Sequence, residues 1–233
     1  TKRLEILPSY KGTRAPMPDP LRSQIPLIRD WIVASGWPIV EEEGREADDL
    51  IGAVTQAREG KETYVVTHDK DLAQLVGDGV WLVLPGKQGK SDHLGPEGVR
   101  EKFGVPPEAV RDYLAMIGDD VDNIPGIPGV GPKTAVTLLT RFGSIDAMLE
   151  QVDAIERESL REKIRGAGDL LRRNMELVGL DCNPPEGWNG LETVRRRKPD
   201  WESLLRIARD HGFKTLVTAI EQSRYDAQNP TLF

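Results

Sequence analysis

The run Gly118-Asp119-Asp120-Val121-Asp122-Asn123-Ile124-Pro125-Gly126-Ile127-Pro128-Gly129-Val130-Gly131-Pro132-Lys133-Thr134-Ala135 joins two unlike chemistries. Its first half holds Asp119, Asp120 and Asp122, a carboxylate density that suits a divalent cation. Its second half is a Gly-Val-Gly turn leading into a helix with Lys133 near the start, which suits a phosphate. Metal beside phosphate points to phosphodiester or phosphoryl chemistry. Two further acidic clusters join it: Glu46-Ala47-Asp48-Asp49, and Asp69-Lys70-Asp71 within Thr67-His68-Asp69-Lys70-Asp71. Each has a blander explanation on its own. Acids favour helix N-termini, one Asp can cap the next helix, and an Asx-rich turn accounts for the third. Capping does not readily explain three clusters that each fall at the end of an element. So many carboxylates together would raise one another's pKa values and cost stability without cations. An all-oxygen set with no His/Cys partners favours Mg²⁺ or Mn²⁺ over zinc. In a two-metal site the ions lie about 3.5–4 Å apart and clamp the attacking and leaving oxygens.

In the second half, Gly126, Gly129 and Gly131 let backbone approach a phosphate closely, and Pro132 fits a first helical turn. Val130, Lys133 and Thr134 complete a pattern that looks like a helix-hairpin-helix turn. Such a turn reads backbone and not bases, so it implies sequence-independent DNA binding. A tight helix-helix connection is the alternative. The spacing of a Walker P-loop is absent.

The elements that must carry these residues follow from periodicity. A helix is predicted from Asp19 as N-cap, with Pro20 first, through Ile32 to Gly36, bent or delayed by Pro26. Pro38-Ile39-Val40 reads as a short strand, and a helix starts at Arg45 or Glu46. Residues 63–67 read as a buried strand, 71–76 as a short helix and 80–84 as a strand. This alternation implies a parallel α/β sheet, whose ligands sit beyond the strands' carboxyl ends. After about residue 95 helices dominate: 96–103, 107–117, 131–142, 144–152, 156–179 and 200–211, with no convincing strand. The expected division is an α/β core over 1–95, a helical subdomain over 96–220 and a mobile tail over 221–233.

The 233 residues are 38% hydrophobic and 30% charged, which suits a globular chain. No window approaches a membrane span, and Thr1-Lys2-Arg3-Leu4-Glu5 does not open a signal peptide. The single Cys182 excludes an internal disulfide and fits a reducing compartment. The net charge of −7 sits oddly with nucleic-acid binding, but eight carboxylates fall in the three clusters and metals would neutralise them. Arg172-Arg173 and Arg195-Arg196-Arg197-Lys198 are basic runs, each by itself read as a solvated face.

Together with Tyr10-Lys11, Arg14-Ala15-Pro16-Met17-Pro18 and the late Gly212-Phe213-Lys214-Thr215-Leu216, these motifs resemble the 5′-nuclease (flap endonuclease) superfamily. The match is strongest to the 5′→3′ exonuclease domain of bacterial DNA polymerase I and its stand-alone relatives. The resemblance implies a PIN-like parallel sheet flanked by helices, followed by a helical subdomain with a helix-hairpin-helix (helix-3-turn-helix) motif. It implies Glu46, Asp48, Asp49, Asp69, Asp71, Asp119 and Asp122 as metal ligands, direct or through water. Lys11 and Arg14 would contact the scissile or 5′-terminal phosphate, and residues 126–135 would bind duplex DNA, with K⁺ on the turn carbonyls. It further implies two Mg²⁺ or Mn²⁺ ions, a monomer, a bacterial cytoplasmic, nucleoid-associated setting, and hydrolysis at flaps, nicks or 5′ ends in replication and repair.

Family members begin with a strand ending in an Asp ligand and carry a second Asp-bearing strand before the Tyr-Lys motif. This chain starts after both and without Met, so a truncated piece with weakened or absent cleavage and retained junction or duplex binding is expected. A non-catalytic DNA-binding module is the second reading, and a PIN-type ribonuclease the third, with the hairpin turn against it. The terminal Gln228-Asn229-Pro230-Thr231-Leu232-Phe233 loosely resembles a sliding-clamp peptide, with imperfect spacing.

Overall fold

A computed structural model describes residues 1–229. In chain order the elements are α1 (Lys2–Ile6), α2 (Asp19–Arg22), α3 (Ile25–Ala34), α4 (Ala47–Gln56), β1 (Thr63–Val66), β2 (Val80–Pro85), β3 (Ser91–Leu94) and α5 (Pro96–Phe103). Then come α6 (Val110–Ile117), β4 (Gly118–Asp119), β5 (Ile124–Pro125), α7 (Pro132–Phe142), α8 (Ile145–Glu150), α9 (Glu158–Gly166), α10 (Gly168–Val178), α11 (Trp201–Asp210) and α12 (Lys214–Gln228). The chain divides into two compact units, one of residues 1–14 and 42–186, the other of 15–41 and 187–233. The expected break near residue 95 therefore does not separate compact bodies. The sheet and the helices α5 to α10 share one apolar core, with Ile6 of α1 and Ile51 of α4 packed against it.

In the first unit β1 and β2 pair in parallel with Thr63 opposite Val80, as the strand-helix-strand pattern predicts. The link between them is a 3-10 turn over Asp71–Leu75, which buries Leu72 and Ala73. β3 was not legible as a strand. It returns antiparallel on β2, Leu94 opposite Leu82, so the sheet order is β1-β2-β3. Of β1 only Val65 is buried, while Tyr64 and Val66 are exposed, a correction to the expected buried strand.

The centre of this unit is α6. Val110, Leu114, Ala115 and Met116 are almost wholly buried, and α6 packs on α7, α10 and the 71–75 turn. Each large side chain so buried contributes about 1.5–3 kcal/mol. Two residues of strand, β4 paired antiparallel with β5, follow α6 directly. Gly118 makes this reversal possible. Its φ is +76°, and a Cβ there would lie 2.3 Å from the Gly126 nitrogen and 2.4 Å from the Ile124 oxygen. Gly118→Ala is expected to lower stability by about 1–3 kcal/mol or more, because strain and collision add. A lower urea midpoint at unchanged m is the readout.

In the second unit α3, α11 and α12 pack through Ala34, Leu204, Leu205, Ile207, Ala208 and Ile220, with Trp31 and Trp201 beside them. The single helix predicted from Asp19 is two helices. The N-cap is Pro18, and the break falls at Ser23-Gln24, just before Pro26, whose missing N–H and ring oppose a continuous helix. Pro38-Ile39-Val40 is not a strand, having no ladder partner among the described residues. The predicted 156–179 helix breaks between α9 and α10 at Ala167. The tail expected to be mobile from Glu221 is instead helical to Gln228, where Ile220 buries and Arg209 pairs with Glu221 at 2.9 Å. The clamp-like segment ends in residues 230–233, outside the described residues.

Candidate functional site

Three loops of the first unit meet around the acidic clusters. Glu46 caps α4, and with Asp49 it forms a capping box, so helix start and acid pair are one local device. The Asp119–Asn123 loop follows β4. Asp119 Oδ1 accepts from the Val121 N–H at 2.7 Å and the Asp122 N–H at 3.2 Å, an Asx turn that fixes Asp122. The Tyr10–Arg14 loop docks on it through the Lys11 N–H to the Asp122 carbonyl at 2.9 Å. Asn123 lies in the left-handed region at φ +56° and donates its amide to the Ser9 carbonyl at 2.8 Å. Lys11 is also left-handed, at φ +55°, which costs a non-glycine residue about 1–2 kcal/mol. That strain aims its ammonium at Glu46, with Asp122 3.8 Å away. Arg14 pairs with Asp122. The Tyr10 hydroxyl, buried between them, lies 3.2 Å from Glu46 and 3.1 Å from Asp122. Burial, then the charges of Glu46 and Asp122, push its pKa well up.

Lys70 pairs with Asp119 at 2.9 Å. Burial would raise Asp119, but the Lys70 hydrogen bond and the loop N–H groups outweigh it and hold its pKa down. Asp48 and Asp71 lack such partners. Asp48 is raised, first by burial and then by the charge of Asp69. Asp71 is pushed up to about 7, by burial first and then by Asp69 and Asp119. Its Oδ1 is buried with no hydrogen-bond partner, a cost the fold does not offset by itself. Asp69 is exposed, and its Oδ1 accepts the Asp71 N–H at 3.0 Å. Asp120 is exposed.

Asp49 behaves differently. Its Oδ2 and Oδ1 accept from Arg3 Nη1 and Nη2 at 2.9 and 2.8 Å, and Oδ1 also takes the Asp181 N–H at 3.0 Å. Oδ2 completes the capping box at 3.3 Å from the Glu46 nitrogen. Its acceptor positions are thus filled by protein. Burial would raise its pKa, but Arg3 and these donors hold it down. Arg3 itself donates Nε to the Leu177 carbonyl at 2.8 Å and Nη2 to the Gly179 carbonyl at 2.7 Å. No spacing rule marks Arg3, because its partner Asp49 and its carbonyl acceptors lie far along the chain.

Among the described residues no three of the His, Cys, Asp or Glu side chains form a ready cage for a metal ion. Lys11, Arg14 and Lys70 stand among the carboxylates and neutralise Glu46, Asp122 and Asp119. The donor set nevertheless fits a hard cation. It is all oxygen, and the orphaned Asp71 oxygen with the raised Asp48 and Asp71 is where positive charge is lacking.

The hairpin turn follows at once. Ile127 donates its N–H to the Met116 carbonyl at 2.9 Å and is buried, as is Val130. Asn174, fully buried, donates to the Ala115 and Pro125 carbonyls at 2.9 and 2.8 Å and locks α10 to this joint. Gly126 is half-buried and packs against the Ile117 carbonyl, and the Val130 side chain is turned into the core, so both help to build the turn. Gly129, Gly131 and Lys133 are exposed and Thr134 is half-buried. The N–H groups of Gly129 and Gly131 have no backbone partner among the described residues.

Residues 1–104 match the family "5′-3′ exonuclease, N-terminal resolvase-like domain", and residues 105–202 match "5′-3′ exonuclease, C-terminal SAM fold". The 5′-3′ exonuclease of Aquifex aeolicus is 35% identical over all of this chain and 78% of its own length. DNA polymerase I of Bacillus caldotenax is 35% identical over 99% of this chain, which spans 26% of that polymerase. Among solved structures, T5 5′-exonuclease with bound zinc superposes with a TM-score of 0.67 at 20% identity, over 95% of this chain and 79% of that one, a likeness of fold. With both halves of the domain pair matched in order, and a 5′-3′ exonuclease aligned along the whole chain, this protein belongs to the 5′-3′ exonuclease family.

Proposed function

We propose that the chain is a structure-specific 5′ nuclease domain that hydrolyses DNA phosphodiesters at flaps, nicks or 5′ ends with two Mg²⁺ or Mn²⁺ ions. The carrying observation is the buried, partnerless Asp71 oxygen facing the charges of Asp69 and Asp119, with Asp48 raised between Asp69 and the strained Lys11. The Asp48, Asp69, Asp71 and Asp119 carboxylates, with Glu46 and Asp122 at the rim, would hold the ions. Bound divalent cations lower the pKa of water and offset charge on the phosphodiester. Asp49 is assigned a positioning role, since Arg3 and backbone donors already occupy it. Lys11 and Arg14 are the groups that bind and orient the target phosphate, exchanging Glu46 and Asp122 for it. Tyr10 keeps those two acids in place during the exchange. The turn at Gly129 to Lys133 holds the duplex by its backbone, without base readout.

The test is a labelled duplex with a 5′ single-stranded arm, incubated with this chain and Mg²⁺ or Mn²⁺. Short 5′-phosphorylated products are expected, and their loss in Asp69→Ala. A second reading, a junction-binding module, draws on the ion pairs that already neutralise three of the acids. Binding without cleavage at every metal concentration would replace the first reading by it. Equal cleavage of an RNA of the same shape would redirect both.

A further inference from the structure

The N-terminus of α7 is one side of the hairpin turn; the other side is occupied by a residue from a different helix. Lys163, on α9, carries its ammonium to Gly129. A Cβ built on Gly129 would stand 2.6 Å from Lys163 Nζ. Gly129 therefore serves two purposes. Its φ of +78° turns the chain, and its missing side chain leaves room for the ammonium. The neighbouring Ile164 is fully buried and fixes α9, while Lys163 itself is exposed.

The charges near Lys163 leave it free. Glu162 pairs with Arg165, and Arg165 also pairs with Asp153. No carboxylate pairs with Lys163 or with Lys133 among the described residues. The uncompensated Lys163 ammonium thus stands against Gly129, whose N–H, like that of Gly131, has no backbone partner among the described residues, and the exposed Lys133 follows two positions after Gly131.

We infer that Lys163 is a DNA-binding residue, a direct contact to a DNA phosphate at the hairpin turn that fixes the duplex relative to the acidic loop. This rests on the reading that the turn holds duplex DNA. Lys163 acts as a point charge on a phosphate, so its contribution is independent of sequence and sensitive to salt.

The experiment is fluorescence anisotropy of this chain with a fluorescein-labelled duplex bearing a 5′ arm, in EDTA so that no cleavage occurs, across a salt series. Lys163→Ala is expected to weaken binding about threefold to tenfold and to reduce the salt slope by about 0.9. Lys163→Arg should restore both, and Lys163→Glu should weaken binding further. A purely structural role would lower the melting temperature and leave the salt slope intact, which would overturn the inference. Lys133→Ala is the reference. If it weakens binding and Lys163→Ala does not, the inference fails alone. If neither matters, the turn is not the anchor and the underlying reading fails.

Discussion

Arg3→Met is expected to cost about 3–5 kcal/mol of stability, because it leaves Asp49 as a buried, unpaired charge. Three further contacts go with it. The Leu177 and Gly179 carbonyls lose their donor, and Glu46, 3.9 Å from Arg3 Nη1, loses a nearby cation. Burial alone would lower the Arg3 pKa, but the Asp49 hydrogen bonds more than offset it and the guanidinium stays charged. The acid side gives the sign with pH. Asp49 is held below its ordinary value, so its contribution is present above the unfolded pKa of about 3.9 and is lost as pH falls through the folded value. The difference between Arg3→Met and the parent should therefore shrink below about pH 4. Urea melts at pH 7.5 and 3.5 measure it. A second variant, Arg3→Met with Asp49→Leu, should recover much of the loss, because both charges are then gone. A double variant as unstable as Arg3→Met would show that the arginine acts through its carbonyl contacts and not through Asp49.

Asp71→Asn is expected to move stability and activity in opposite directions. In the metal-free chain Asp71 titrates near 7, against about 3.9 unfolded. The folded state therefore keeps a proton that the unfolded state has lost between those values, and stability falls as pH rises through the interval. Above pH 7 the full penalty applies, up to roughly 4 kcal/mol before relaxation. Asparagine removes it. In EDTA at pH 8 the variant should melt higher than the parent, and at pH 4 the two should coincide. Added Mg²⁺ should raise the parent's melting temperature and leave the variant's nearly unchanged. Cleavage should fall by at least about a hundredfold, the upper end of what even outer-shell partners cost. A parent whose melting temperature ignores Mg²⁺ at pH 8 would remove Asp71 from the metal site.

The acids and the turn were legible because they are local. Asp119 to Asp122 and Gly129 to Lys133 owe their geometry to neighbours within a few positions, such as the Asx turn and Pro132 at the helix start. β1, β2 and α4 were legible for the same reason, their periodicity and caps being written in consecutive residues. What stayed hidden depends on distant partners. Asp49 carries the same spacing as a ligand, and only Arg3 and Asp181, brought in by the fold, show that it is occupied. Lys163 belongs to an ordinary charged helix until the fold sets it against Gly129. β3 has exposed polar residues and is a strand only because β2 offers it an edge. The half of α12 from Glu221 onward reads as a polar tail, because Ile220, the helix's one buried residue, lies just before it and the apolar surface receiving it lies on other helices.

The contact between Gly118 and Gly126 bears on how the site can breathe. The Asp119–Asn123 loop leaves and re-enters the fold at two backbones in contact, tied further by Ile127 to Met116 and by Asn174 across both. A loop closed at its base in this way cannot swing as a flap. Exchange of the Val121, Asp122 and Ile127 amides with solvent should therefore occur in one shared opening event, at a free energy close to that of α6 itself. Substrate entry would then have to be gated elsewhere, and the acidic loop would serve as a fixed wall against which other parts move.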